Sequence, residues 1–227
     1  MPTKQTLYLT GSSGALGSET RGYFLERGWN VAGFDAKDDG FENKNFFFQK
    51  IDSTSELSVQ TAFESAVLTF GPPRTLFATI GGLRPWSPHQ EISIEDFRFI
   101  TELNLISTFT CVKHATKLMK LLSIGSIITM GAETALHPDP NKSAYVAAKS
   151  AVIGFTRAIA LETKEYGVNA NCIVPTVIHT KANESWGSPD EFSKWTKPED
   201  IAALCLFLSS EAGRAINGSI LRVPNKM

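Results

Sequence analysis

Short, nearly continuous apolar runs alternate with longer segments in which apolar residues recur every three or four positions, from one end of the chain to the other. The runs predict strands at 6–10, 30–34, 46–51, 75–80, 126–130, 168–174 and 219–223. They lack the in–out alternation of a half-exposed strand, as expected of parallel strands covered on both faces. The three consecutive phenylalanines at 46–48 therefore read as a buried strand in preference to an exposed recognition patch. Between the runs, helical spacing predicts helices at about 15–27, 54–69, 94–121, 143–166 and 198–210. Gly28 stops the first helix, Gly71-Pro72-Pro73 stops the second, and Ser143 is placed to cap the fourth. In that fourth helix Tyr145, Ala148, Val152, Phe155 and Ile159 share one face, which predicts burial. Repeated strand-helix-strand units predict an α/β fold, a doubly wound parallel sheet of about seven strands with helices on both faces. No repeat or linker divides the chain, so residues 1–227 are expected to form a single domain. The charged stretch 35–44 reads as a solvated loop, and 176–197 as an unstructured lid or binding loop.

Composition narrows the function classes. With 22 basic and 23 acidic residues the net charge is -1, which offers no bulk field for nucleic acid or an anionic membrane. No run approaches 18 apolar residues, and no signal-peptide core precedes the first strand, so the expected setting is cytoplasmic. Cys111, Cys172 and Cys205 are odd in number and far apart, which suits a reducing compartment. His89, His114, His137 and His179 form no i,i+3 or i,i+4 pair, so no metal site is expected.

Candidate chemistry begins at the first strand-helix junction, Thr10-Gly11-Ser12-Ser13-Gly14-Ala15-Leu16-Gly17. Glycines there permit a tight turn and let a pyrophosphate approach the backbone at the positive end of a helix. A purely structural turn is the plainer alternative. The second strand ends at Asp35, where a carboxylate can hold a ribose 2′-hydroxyl and would repel a 2′-phosphate. Asp35 thus favours NAD(H) over NADP(H), unless it is merely a solvated loop residue. Asp52, after the third strand, either faces the adenine edge or caps the next helix. Tyr145 and Lys149 stand one helical turn apart on the same face. An ammonium beside a phenol lowers its pKa from ~10 towards working pH, making tyrosine a usable acid/base. By itself the spacing is common; its position after the fifth strand gives it meaning.

At this point the chain resembles the short-chain dehydrogenase/reductase family, a Rossmann-type fold, over essentially its whole length. The resemblance rests on the Gly-rich turn, Asp35, Asn104, Tyr145-x-x-x-Lys149, Pro175 with Thr180, and Lys197-Pro198-Glu199-Asp200. It implies that Tyr145 donates a proton, that Lys149 binds the nicotinamide ribose and tunes Tyr145, and that Asn104 organises a water relay. It implies cofactor contacts from Gly11, Ser13, Gly14, Leu16, Gly17, Asp35, Asp52, Gly81, Gly82, Pro175, Ile178 and Thr180. It also implies a homodimer or homotetramer acting on a small molecule.

Several positions depart from the common pattern. Ala15 replaces a glycine, and Ala78-Thr79-Ile80-Gly81 replaces Asn-Asn-Ala-Gly. Ala132 stands where the family carries its catalytic serine, and neither Ser126 nor Thr134 is an obvious replacement. Within the family these departures resemble the dihydropteridine reductase branch, as do Trp29–Asp35, Gly81-Gly82, Gly131-Ala132 and Phe192–Thr196. A quinonoid dihydropterin gains aromatic character on reduction and needs less help from an oxyanion donor, so it tolerates Ala132. Trp86, Trp186 or Trp195 would then stack on a flat heterocycle, although anchoring a loop is the commoner role of tryptophan. Two alternatives stay open. One is a general carbonyl, alcohol or quinone enzyme. The other is a non-catalytic NAD(H)-binding sensor or scaffold, against which the intact Tyr145, Lys149 and Asn104 weigh.

Overall fold

The structure is a computed structural model and describes residues 4–83, 86–185 and 187–224. Seven strands form one sheet: β1 (Thr6–Thr10), β2 (Asn30–Asp35), β3 (Phe46–Lys50), β4 (Thr75–Ala78), β5 (Gly125–Met130), β6 (Val168–Pro175) and β7 (Ile220–Val223). All pairings are parallel, in the order β3-β2-β1-β4-β5-β6-β7. Strand order reverses between β1 and β4, and the crevice outside their C-terminal ends is where such sheets bind ligands. Strands β1, β4 and β5 are buried at every position, and β1 and β4 are apolar or threonine throughout, as the absence of alternation predicts.

The α-helices are α1 (Ala15–Glu26), α2 (Glu56–Phe70), α3 (Ile94–Thr101), α4 (Ser107–Leu122), α5 (Ser143–Thr163), α6 (Lys181–Glu184), α7 (Pro189–Phe192) and α8 (Pro198–Ser209). One face of the sheet packs Tyr8, Phe34, Leu76 and Ile127 against Phe63 of α2, Val112 and Met119 of α4, and Ala160 of α5. The other packs Leu9, Phe77, Ile128 and Ile173 against Phe24 of α1 and Ile201, Cys205 and Leu208 of α8. Gly28, at φ +80, ends α1: its N–H donates to the carbonyl of Leu25, and that of Trp29 to Phe24.

Four local expectations are corrected. The 94–121 helix is interrupted by a π-turn at Glu102–Ile106, which brings the polar Asn104 into the interior. Ser143 lies inside α5 and makes no cap; Lys142 holds the N-cap position. Phe46–Phe48 are only half-buried, because β3 is an edge strand. The 176–197 segment is partly ordered by α6 and α7. Thr180 caps α6, its hydroxyl accepting from the N–H of Asn183 at 3.2 Å, and Ser188 with Glu191 forms a capping box on α7.

Candidate active site

The Gly-rich turn is bolted to the neighbouring strand before it reaches α1. Thr79 donates its hydroxyl to the Thr10 carbonyl at 2.6 Å, and its N–H donates to the Thr10 hydroxyl at 3.1 Å. Gly11 has φ +68, and a Cβ there would stand 2.7 Å from the Thr79 hydroxyl, so only glycine fits. Gly14 is the N-cap of α1, which leaves the amides of Ala15, Leu16 and Gly17 without intrahelical acceptors. Free amides, the positive helix end and bare backbone at Gly11 and Gly14 suit a pyrophosphate.

Asp35 ends β2 beside this turn. One carboxylate oxygen accepts the N–H of Ser13 at 3.1 Å and the other that of Lys37 at 3.2 Å; the Ser13 hydroxyl donates to the Lys37 carbonyl at 2.8 Å. The acid thus holds the phosphate turn to the next loop and keeps lone pairs free for ribose hydroxyls. The nearby Arg21 is committed elsewhere: it is buried, pairs with Asp39 at 2.9 Å, and lies 4.0 Å from the Phe41 ring centroid. Asp52 neither caps α2, which Ser55 does, nor is it buried. Its carboxylate accepts the Thr54 hydroxyl at 2.7 Å and the Thr54 N–H at 3.0 Å, hydrogen bonds that hold its pKa down.

Across the crevice, Tyr145 and Lys149 project from α5 towards the ends of β4 and β5. Lys149 is buried and donates to the Met130 carbonyl at 2.9 Å, and its ammonium lies 5.8 Å from the Tyr145 ring centroid. Burial lowers Lys149 to about 8 and raises Tyr145 to about 12. The tyrosine therefore moves opposite to the direction expected from the sequence: desolvation outweighs a lysine standing beneath the ring. Asn104 is fully buried at the π-turn, and its side-chain amide grips Gly82 on both sides, donating to its carbonyl at 2.9 Å and accepting its N–H at 3.1 Å. A Cβ on Gly81 would stand 2.7 Å from Asn104 Oδ1 and 3.0 Å from Lys149 Nζ. Gly81, Gly82, Asn104 and Lys149 thus form one interlocked group.

Ala132 follows β5 at this edge and is buried, with no hydroxyl to offer. Pro175 ends β6, and Ile178 bridges Thr196 across the root of the lid. Within the lid His179 stacks on Phe192, with centroids 5.4 Å apart, and pairs with Glu184 at 2.8 Å. Trp195 is buried against Phe192 and His179, so it anchors the lid; Trp186 lies outside the described residues. Trp86 is 54% exposed, with the Lys142 ammonium 4.6 Å from its ring centroid. Among the described residues no group of three metal-ligating side chains gathers. The helix 143–166 is long and apolar enough to cross a membrane by length and composition, yet it buries Ala148, Lys149, Val152 and Thr156 against the sheet. Sequence reading missed the Met130 carbonyl, the Thr10–Thr79 pair and the Arg21–Asp39 pair, because backbone acceptors and contacts between distant segments leave no local signal.

A family model described as "Enoyl-(Acyl carrier protein) reductase" matches residues 13–225. Momilactone A synthase of Oryza sativa subsp. japonica is 29% identical over 239 residues, covering 95% of this chain and 86% of that protein. D-threitol dehydrogenase of Mycolicibacterium smegmatis is 28% identical over 234 residues, covering 94% and 88%. The NADP-bound structure of ElxO superposes with a TM-score of 0.90 at 25% identity, covering 97% of each chain. NAD+-bound xylitol dehydrogenase shares the fold, with a TM-score of 0.88 at 21% identity over 99% of this chain and 100% of that one.

Proposed function

Since this chain belongs to the short-chain dehydrogenase/reductase family and is an NAD(P)-dependent oxidoreductase of that family, we propose that it interconverts a small secondary alcohol and its ketone. The single observation that carries the proposal is Tyr145, its ring centroid 5.8 Å from the Lys149 ammonium, beside the interlocked Gly81, Gly82, Asn104 and Lys149 at the C-terminal edge of β4 and β5. NAD(P)H, when bound, supplies the hydride. Gly11, Ser13, Gly14, Leu16 and Gly17 would hold its pyrophosphate, Asp35 its adenosine ribose, Lys149 its nicotinamide ribose, and Pro175, Ile178 and Thr180 its carboxamide end; Asp52 would face the adenine. Tyr145 holds the proton delivered to the nascent alkoxide, and Asn104 fixes the Gly82 backbone beside Gly81, against which the Lys149 ammonium lies while it donates to Met130. NADH is the preferred cofactor in this reading, because Asp35 repels a 2′-phosphate and Arg21 is held by Asp39. ElxO was solved with NADP, so the preference is a property to measure.

Ala132 supports a second reading. An ordinary ketone loses ~10²–10³ in rate without an oxyanion donor. A quinonoid dihydropterin, stacked near Trp86, would not. D-threitol dehydrogenase is named for an alcohol, which favours the first reading, so the pterin branch ranks second. The protein is further proposed to be a single-domain, cytoplasmic homo-oligomer; its three cysteines are buried and unpaired.

The test is NAD(P)(H) turnover with polyols, cyclic secondary alcohols, their ketones and quinonoid dihydropterin. Tyr145→Phe is expected to lower kcat at least ~10²-fold while cofactor titration by fluorescence changes little. Tight NADH binding with no turnover of any acceptor would instead make the chain a cofactor sensor.

A further inference from the structure

Glu133 follows Ala132 in the loop after β5. Its carboxylate is clasped from two sides. Arg222 of β7 donates Nε to one oxygen at 3.0 Å and an Nη to the other, a two-point guanidinium–carboxylate pair. His137, one turn further along the same loop, bonds the carboxylate at 2.7 Å. The Glu133 side chain is 16% exposed and that of Arg222 45%, so the pair is half-open to water and its worth lies in two-point geometry more than in net energy. β7 is separated from β5 by β6, and Glu133 therefore reaches over one strand to close the pair.

The next two residues of β7's end carry the other wall. The Val223 carbonyl accepts the Thr196 hydroxyl at 2.7 Å, and the Pro224 carbonyl accepts the Thr176 hydroxyl at 3.3 Å. Thr176 and Thr196 are the two ends of the lid, and their hydroxyls meet at 3.0 Å. The loop after β5, which carries Ala132, and the lid after β6 are thus both fastened to three consecutive residues, Arg222 to Pro224.

We infer that the C-terminal end of β7 is the common anchor of the two acceptor-side walls, and that Glu133 and Arg222 are positioning residues for the acceptor. The Glu133–Arg222 pair fastens the loop after β5 and not the lid that carries Ile178 and Thr180, so it sets where the acceptor sits without setting how the cofactor binds. A two-point clasp fixes orientation as well as distance, which a lysine at 222 does not reproduce. Like the proposed function, this rests on the chain being a dehydrogenase, and one arm of its test does not.

The experiment compares the parent with Arg222→Gln, Arg222→Lys and Glu133→Gln. With the alcohol or ketone best turned over by the parent, Arg222→Gln is expected to raise KM at least fivefold, with kcat and NADH affinity within twofold. Arg222→Lys should recover part of that loss. Amide hydrogen exchange should accelerate at 132–137 in Arg222→Gln and stay unchanged at 11–18. Unchanged KM, or exchange that accelerates throughout the chain, would overturn the inference. If the parent turns over no acceptor, the proposed reaction fails, and the exchange pattern alone still decides whether Arg222 anchors the loop.

Discussion

Lys149 shows what a buried charge costs. Burial holds its ammonium at about 8, against an ordinary value of 10.5. Between those values the unfolded chain binds more protons than the folded one, so stability rises with pH across roughly pH 8 to 10.5. Below about pH 8 the whole cost is present, on the order of 3 kcal/mol. Lys149→Met is expected to abolish turnover, flatten that pH dependence, and raise the Tm of the cofactor-free protein at pH 7 by about 2–6 °C, after allowing for the lost bond to Met130. Calorimetry at pH 7 and pH 10 checks it, and a lower Tm at pH 7 would refute it. Asp35 works in the opposite sense, because it serves both structure and recognition. Asp35→Ala leaves the N–H groups of Ser13 and Lys37 without their acceptor. It should cost ~1–3 kcal/mol in urea unfolding and erase the difference between NADH and NADPH affinities.

At the level of elements, the π-turn at Glu102–Ile106 is the feature with most effect on the site. It turns Asn104 inward, where the amide serves Gly82 and a second bond reaches the Ile100 carbonyl at 3.0 Å. Asn104→Ala is expected to destabilise by ~2–3 kcal/mol, since both polar groups of Gly82 lose a buried partner, and to lower kcat more than it changes cofactor affinity. Stopped-flow and equilibrium unfolding measure the two effects. The turn was invisible in the sequence: 94–121 keeps helical spacing through it, and one extra residue in a helix alters no periodicity that a short window resolves. The strands were legible because parallel strands buried on both faces become apolar runs, and the Gly-rich turn because glycine is required where backbone approaches backbone. Tyr145 and Lys149 were legible by spacing, but the balance of charge and burial that sets their pKa values was not. It depends on how deeply other strands and helices bury the pair and, for Lys149, on the nearby Cys172 of β6.

For the molecule as a whole, the flank formed by α3, the π-turn and α4 leaves Phe97, Phe99, Ile106 and Phe109 exposed, Phe109 at 43%, while Ile100 and Val112 are buried. A second copy covering this flank would remove that apolar surface from water. Sedimentation is expected to give a multiple of 24.8 kDa, and Phe109→Asp to shift it towards the monomer without unfolding the chain. A parent that sediments as a monomer at micromolar concentration would exclude the association. The fastening of both acceptor-side walls to Arg222, Val223 and Pro224 has a consequence for the order in which the protein is made. The Gly-rich turn, Asp35 and the Tyr145–Lys149 turn leave the ribosome before the three residues that fasten the walls. At ~5–20 residues per second, several seconds separate the two events. A nascent chain therefore passes through an interval in which the phosphate turn, Asp35 and the Tyr145–Lys149 turn are made and the two walls still lack their anchor.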